Sequence, residues 1–275
     1  MNSCYKFKKI IFDNSIFTNT IDATYIIHLE DNGRLNHIIK QLSEYHPTKI
    51  VYICFNKGYK KCKKQSFIIN PPLDLVDCNI NIFNHAKLLN YNNILILEDD
   101  FIFNKDILNK KHITNINNFI TSNDNFCYLL GCLPFFMIPY FEIKNPINTY
   151  QYLISGGMHS VIYSEKYRNE VLNINQKKIH DWDLYSWKFI KNRYCYYKPL
   201  CYQLFNETEN SNYWAMNTRF KYIMKYILIL TKYLFRMLKM DKQPEPGFSY
   251  FYIFGKIIPF IIILFVIWKI KKLLL

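Results

Sequence analysis

Three adjacent carboxylates, Glu98, Asp99 and Asp100, follow directly on the apolar run Ile94 to Leu97, and the chain turns apolar again at Phe101. Like charges at this spacing repel one another. A divalent cation offsets that repulsion, and hard oxygen donors suit Mg2+ or Mn2+. A cation held there could in turn neutralise a diphosphate. Acids that simply cap a strand at the surface account for the same triplet, and short motifs match by chance often enough that both readings stand. A second acidic pair, Asp181 and Asp183, brackets Trp182 in KIHDWDLYSW (178–187). It could supply a further metal ligand, or a general base within hydrogen-bond reach of an acceptor hydroxyl. The alternative is a helix N-terminus, where Asp caps amides and complements the dipole.

Other segments carry weaker signals. Gly156 and Gly157 separate two apolar, strand-like runs in YLISGGMHSVIYS (152–164). A turn explains them, as does close backbone approach to a sugar or phosphate with His159 nearby. His28 sits in a strand-like run, where a satisfied core histidine is the more ordinary role. His85, in NIFNHAKLL, precedes the acidic strand. The segment 199–214 is polar, aromatic and long for a loop. It holds the sequon Asn206-Glu207-Thr208, which a cytosolic domain would not use.

Short β-branched runs at 24–29, 49–55, 93–97 and 127–131 read as strands, and stretches with helical spacing of Leu and Ile lie between them. This alternation predicts an α/β fold with a mostly parallel sheet covered on both faces, over 24–215, after an N-terminal extension at 1–23. In such sheets ligands bind outside the carboxyl ends of the strands, which is where Glu98, Asp99 and Asp100 fall.

At 275 residues and 50% hydrophobic, the chain can bury one substantial core and still leave an appendage. The net charge of +14 concentrates at Lys57 to Lys64 and again from Arg219 to Lys272, around the most apolar part of the chain. That placement suggests a membrane surface rather than nucleic acid, and no zinc-finger or helix-turn-helix pattern is present. Eight cysteines without a C-x-x-C pair read as free thiols in a reducing compartment.

Residues 250–268 are apolar apart from Lys256, long enough to span a hydrocarbon core of about 30 Å, and followed by a basic tail at 269–275. Lys256 is expected to snorkel and Trp268 to anchor at the interface. Before the span, 216–242 reads as a basic amphipathic helix lying on the membrane surface, joined through a stiff linker at 243–249. A single-pass C-terminal anchor with the large domain facing the cytosol is the resulting expectation.

Taken in order, TYIIHL with Arg34, NIFNHAKLL, ILILEDD, CYLLG, GGMHSVIYS and HDWDL resemble the motifs of glycosyltransferase family 25, the lipopolysaccharide and procollagen galactosyltransferase family. The resemblance covers roughly 24–211 and is nearest in kind to divergent members from giant DNA viruses. It implies a GT-A-like fold, a UDP-sugar donor, a divalent metal such as Mn2+, and transfer of a hexose, galactose or glucose, to a hydroxyl of a glycan, protein or lipid. By this resemblance Asp99 and Asp100 are metal ligands and Glu98 orients the donor. Asp181 or Asp183 is the base or an additional ligand, and Arg34 contacts the nucleotide or its phosphates. His28, His85, Gly156, Gly157 and His159 line the donor pocket. His28 stands where the family has Asn, and Asn84 where it has Ser. Two other readings of the same residues are a catalytically inactive, membrane-tethered binding protein and a metal-dependent phosphodiesterase or phosphotransferase.

Overall fold

The computed structural model describes residues 3–141, 148–185, 192–204, 221–240 and 243–274. Three strands form its parallel centre: β2 (Ala23–Leu29), β3 (Ile50–Asn56) and β4 (Asn93–Glu98). Their near-continuous apolar runs follow from burial on both faces. Alternation along the strands divides the side chains between two cores. Tyr25, Ile27, Ile94 and Ile96 enter one, beneath the helices α2 (Pro71–Leu88) and α4 (Glu165–Leu172). Ile26, Leu95 and Leu97 enter the other, beside α1 (Leu35–Glu44) and α3 (Lys110–Ser122). Asn70 caps α2 by accepting from the Leu73 amide at 3.0 Å, and Pro71 and Pro72 occupy the first turn, where a missing N–H costs nothing.

The sheet is mixed rather than mostly parallel. Its order is β1-β3-β2-β4-β7-β6-β8, with β1 (Tyr5–Ile11) antiparallel to β3 and β7 (Thr149–Ser164) antiparallel to β4. β6 (Cys127–Pro139) pairs antiparallel with β7 and parallel with β8 (Arg193–Tyr196). The alternation predicts 127–131 as a fourth strand of a mostly parallel sheet, with β4 and its successor joined by a helix. The strand beside β4 is β7, the return strand of the β6–β7 hairpin, and it runs antiparallel. β7 also runs continuously through Gly156 and Gly157, which therefore form no turn. The glycines lie where the β6–β7 register shifts, and Gly157 has φ +73°. Residues 1–23 are likewise no mere extension, since they contribute β1. Its exposed Lys6, Lys8 and Lys9 suit an edge strand.

Cys4 and Cys62 form a disulfide, with Cα atoms 5.7 Å apart, so the reading of all eight cysteines as thiols is corrected. A sequence separation of 58 gives no hint of that contact. The other six cysteines are free and buried. The side chain of Lys64, at the end of the basic cluster, is buried: its Nζ meets Asp74 Oδ1 at 2.5 Å and Asn56 Oδ1 at 2.8 Å.

Two helices end the described chain, α6 (Lys221–Met237) and α7 (Gly247–Leu274), the latter taking over the last part of the expected linker. The segment Gly247–Lys272, whose most apolar 18-residue stretch has mean hydropathy 2.4, is long and apolar enough to cross a membrane. Its first half packs on β6. Lys256 does not reach toward water: its Nζ donates to the Tyr197 carbonyl at 2.6 Å and lies over the rings of Tyr150 and Tyr197.

Candidate active site

The parallel pairing of β2 with β4 sets Ile27 opposite Glu98, so the acidic triplet leaves β4 beside the end of β2. There Asp99 is fully engaged. Its Oδ1 accepts from Arg34 Nη1 at 2.7 Å, and its Oδ2 from the Leu29 amide at 3.3 Å and from Asn32 Nδ2. His28 Nδ1 stands 3.4 Å from the same oxygen. Burial alone would raise the Asp99 pKa, but the His28 hydrogen bond and the Arg34 charge overcome it and hold the group below its ordinary value. The charges of Asp99 and Asp100 raise the Arg34 pKa against its own burial.

Asp100 is 2% exposed and differently placed. Oδ2 lies 3.4 Å from Arg34 Nη1 and 3.4 Å from Gln203 Nε2, whereas Oδ1 is buried and has no hydrogen-bond partner. Burial pushes its pKa up to about 7, with Arg34 opposing and Asp99 reinforcing the rise. Glu98 accepts from Gln203 Nε2 at 3.2 Å. Its pKa is raised well above the usual range by burial, then by the charges of Asp100, Asp183 and Asp99.

Gln203 arrives on β9 (Cys201–Gln203), which pairs with β5 (Phe101–Phe103) so that Gln203 faces Phe101. A bond of 2.9 Å from the Leu204 amide to the Asp100 carbonyl continues this ladder. No sequence motif marks Gln203 or Asn32. Gln203 lies in the long polar segment 199–214, and Asn32 in an ordinary turn.

Of the late acidic pair, Asp183 is brought to the same place. A short helix, α5 (Trp182–Tyr185), is fixed by Trp182, whose Nε1 donates to Tyr163 OH at 3.0 Å and whose ring packs on Phe83. The Gly157 amide donates to Asp183, whose pKa is lifted to about 7 by burial and then by Asp181. A Cβ at Gly157 would lie 3.3 Å from both Gln203 Oε1 and His159 Nδ1, so the glycine permits close approach as well as its positive φ. His159 is buried with Nε2 3.2 Å from the Cys201 carbonyl, Nδ1 is unpartnered, and burial lowers its pKa to about 4.

Not every expected residue joins the group. Gly156 stands in β7 opposite Leu133, one residue from the glycine that bonds Asp183. His85 packs between α2 and the sheet, against the middle of β2: its Nδ1 is 2.8 Å from Tyr25 OH, and its ring stacks on Phe7 at 4.2 Å. It is a satisfied core histidine, which corrects its placement in a donor pocket. The sequon at Asn206 and most of its loop fall outside the described residues.

Glu98 thus feels the charges of Asp99, Asp100 and Asp183, while the Arg34 guanidinium acts on the triplet and Arg193 on Asp183. Among the described residues no three His, Cys, Asp or Glu groups form a ready-made metal cage. The donor set nevertheless fits a hard cation. Asp100 offers a buried, unbonded oxygen, and Mg2+-type ions are commonly held by one or two carboxylates with phosphate oxygens and water completing the shell. Asp99, saturated by its own partners, is the less available of the two expected ligands.

No family model matches the chain, and no curated protein matches it. Among solved structures, it is similar to A197 from STIV, with 8% identity, TM-score 0.38, and 69% of this chain and 87% of that one covered. It is also similar to a glycosyltransferase involved in the glycosylation of the major capsid of PBCV-1, with 10% identity, TM-score 0.36, and 75% and 99% covered. A third is a putative glucose-1-phosphate thymidylyltransferase from Bacillus anthracis, with 8% identity, TM-score 0.31, and 62% and 65% covered. At TM-scores below 0.5 these likenesses carry no argument about activity, which has to come from the site.

Proposed function

We propose that the chain is a membrane-anchored glycosyltransferase that moves a hexose from a UDP-sugar to a hydroxyl acceptor with the help of Mn2+ or Mg2+. The observation that carries this reading is the unbonded, buried Oδ1 of Asp100, set among mutually repelling carboxylates at the carboxyl end of parallel strands. Asp100 would hold the cation, with Glu98 as neighbour, and the cation would supply charge neutralisation for a departing diphosphate.

The chain's own groups have separable tasks. Asp99 fixes Arg34, and Arg34 offers a guanidinium to phosphate oxygens. Gln203 bridges Glu98 and Asp100 and keeps the two from separating. Asp183, with a pKa near 7, is suited to take the proton from an attacking hydroxyl, because a general base works best near the operating pH. Asp181 acts through Asp183. Galactose or glucose as the sugar, and inversion at the anomeric carbon, follow from the family resemblance.

The test uses the full-length chain in detergent or nanodiscs. UDP- and GDP-sugars are screened by calorimetry and by donor turnover, with and without Mn2+, beside Asp100→Asn. Metal-dependent binding of one donor, abolished by the substitution, is the expected result. Donor binding without turnover in either protein would point to the inactive binding protein. No binding by folded protein would overturn the reading.

A further inference from the structure

We propose that the far end of the β6–β7 hairpin and the outward face of the first half of α7 form one lipid-contacting surface that seats the domain on the bilayer. The proposal rests on the reading of α7 as a membrane span and extends it to the folded domain.

The first half of α7 is part of the domain. Phe248 and Tyr252 are buried, and Tyr252 OH lies 3.6 Å from Cys132 Sγ. A Cβ at Gly255 would stand 2.6 Å from the Pro134 carbonyl oxygen, so helix and strand are in direct backbone contact. The span therefore does not hang from a tether. The opposite face of this half presents Ile253, Phe254 and Ile257, at 49%, 58% and 46% exposure. Beside them β6 and its exit present Phe135, Ile138 and Phe141, the last 75% exposed. The Phe135 ring packs edge-on against Phe251 at 5.7 Å and joins the two sets.

Length decides what covers this patch. Lys269, Lys271 and Lys272 mark the far end of the span. The continuously exposed apolar stretch from Phe260 to Trp268 measures only about 14 Å along a helix, less than half of a hydrocarbon core of about 30 Å. About twenty residues are needed, and counting back from Trp268 reaches the docked half of α7. Lipid that covers that half also meets the rim of β6. Lys256 falls inside this depth, and there it is sheltered by a carbonyl and two rings. The end of α6 lies alongside, through Phe235 and Phe251 at 6.1 Å. Its exposed Leu230, Leu234 and Met237 lie on one side, and Lys232 and Arg236 on another, a division suited to an anionic interface.

The experiment places single cysteines at Phe135, Ile138, Phe265 and Lys111 of the full-length chain and labels each with an environment-sensitive dye. The chains are reconstituted in phosphatidylcholine vesicles containing an anionic lipid. The unsubstituted chain, whose free cysteines are buried, sets the background. A lipid-borne quencher is expected to extinguish emission at 135, 138 and 265 and to leave 111 unchanged. Quenching at 265 alone would sink the proposal while keeping the membrane span. Quenching at none of the four would remove the span itself. Shielding of 135 and 138 from an aqueous quencher without any lipid quenching would assign the surface to a second copy of the chain, and would also overturn the proposal.

Discussion

Two groups of buried charge lie near the carboxyl end of the parallel strands, and they are finished differently. Around Lys64, beside the last residue of β3, every carboxylate oxygen has a partner. Asp74 takes Lys64 and Asn56, and Asp77 takes Tyr5 and Gln176. Around Asp100, the same kinds of residue leave one buried oxygen without a partner and share one amide, that of Gln203, between two acids. Burying an unpaired polar atom costs free energy that folding alone does not repay. The first group therefore reads as a structural clasp holding the basic loop and the edge strand. The second reads as a site shaped for something the chain does not itself contain.

The largest test of this contrast is Lys64→Met. It strands two buried carboxylates, and removing one partner of a buried ion pair costs about 3–5 kcal/mol. A fall of that size in thermal stability, not restored by Mn2+, is expected, and an unchanged unfolding midpoint would show that the clasp is not structural.

Asp100→Asn should do the reverse. The Asp100 pKa stands at about 7 in the folded chain against 3.8 for the ordinary group, so the folded state keeps its proton longer than the unfolded state. That contribution to stability is complete below about pH 4 and is lost as pH rises toward 7. The variant escapes the loss. Denaturant unfolding should find it more stable than the parent above pH 7 by on the order of 2–4 kcal/mol, and equal to it near pH 4. Adding Mn2+ at pH 8 should stabilise the parent and leave the variant unmoved.

Gln203→Ala is expected to weaken donor binding about tenfold, near 1.4 kcal/mol, with the fold intact, because it frees Glu98 and Asp100 to separate. Calorimetric titration checks this; undiminished affinity would place Gln203 outside the site. The smallest effect belongs to His85→Gln, which should cost roughly 1 kcal/mol of stability through the lost Tyr25 contact and leave donor affinity alone. Weakened donor binding in that variant would return His85 to the pocket.

Much of the scaffold was legible in the chain. The runs at β2, β3 and β4 are short, apolar and β-branched because both of their faces are buried, and the acids after Leu97 mark where β4 leaves the core. The position of β7 was not legible. Alternating apolar residues specify a strand but not its neighbour, and a parallel or antiparallel partner satisfies the same pattern. His85 was misplaced for a related reason: helical spacing puts it on a face, and only the packed sheet reveals that Phe7, Tyr25 and Tyr52 occupy that face.

By itself the sequence determined the acidic triplet at a strand end, the alternation of strands and helices, and an apolar C-terminal helix of membrane length. These are local properties, fixed by composition and period over a few turns or strand residues. Tertiary structure alone decided that Asp183 joins Glu98, that Gln203 bridges the acids, that Asp99 is saturated while Asp100 is not, that Cys4 meets Cys62, and that α7 is rooted on β6. Each of these depends on contacts between residues distant in the chain, and their partners are chosen by how the layers pack rather than by any pattern along it.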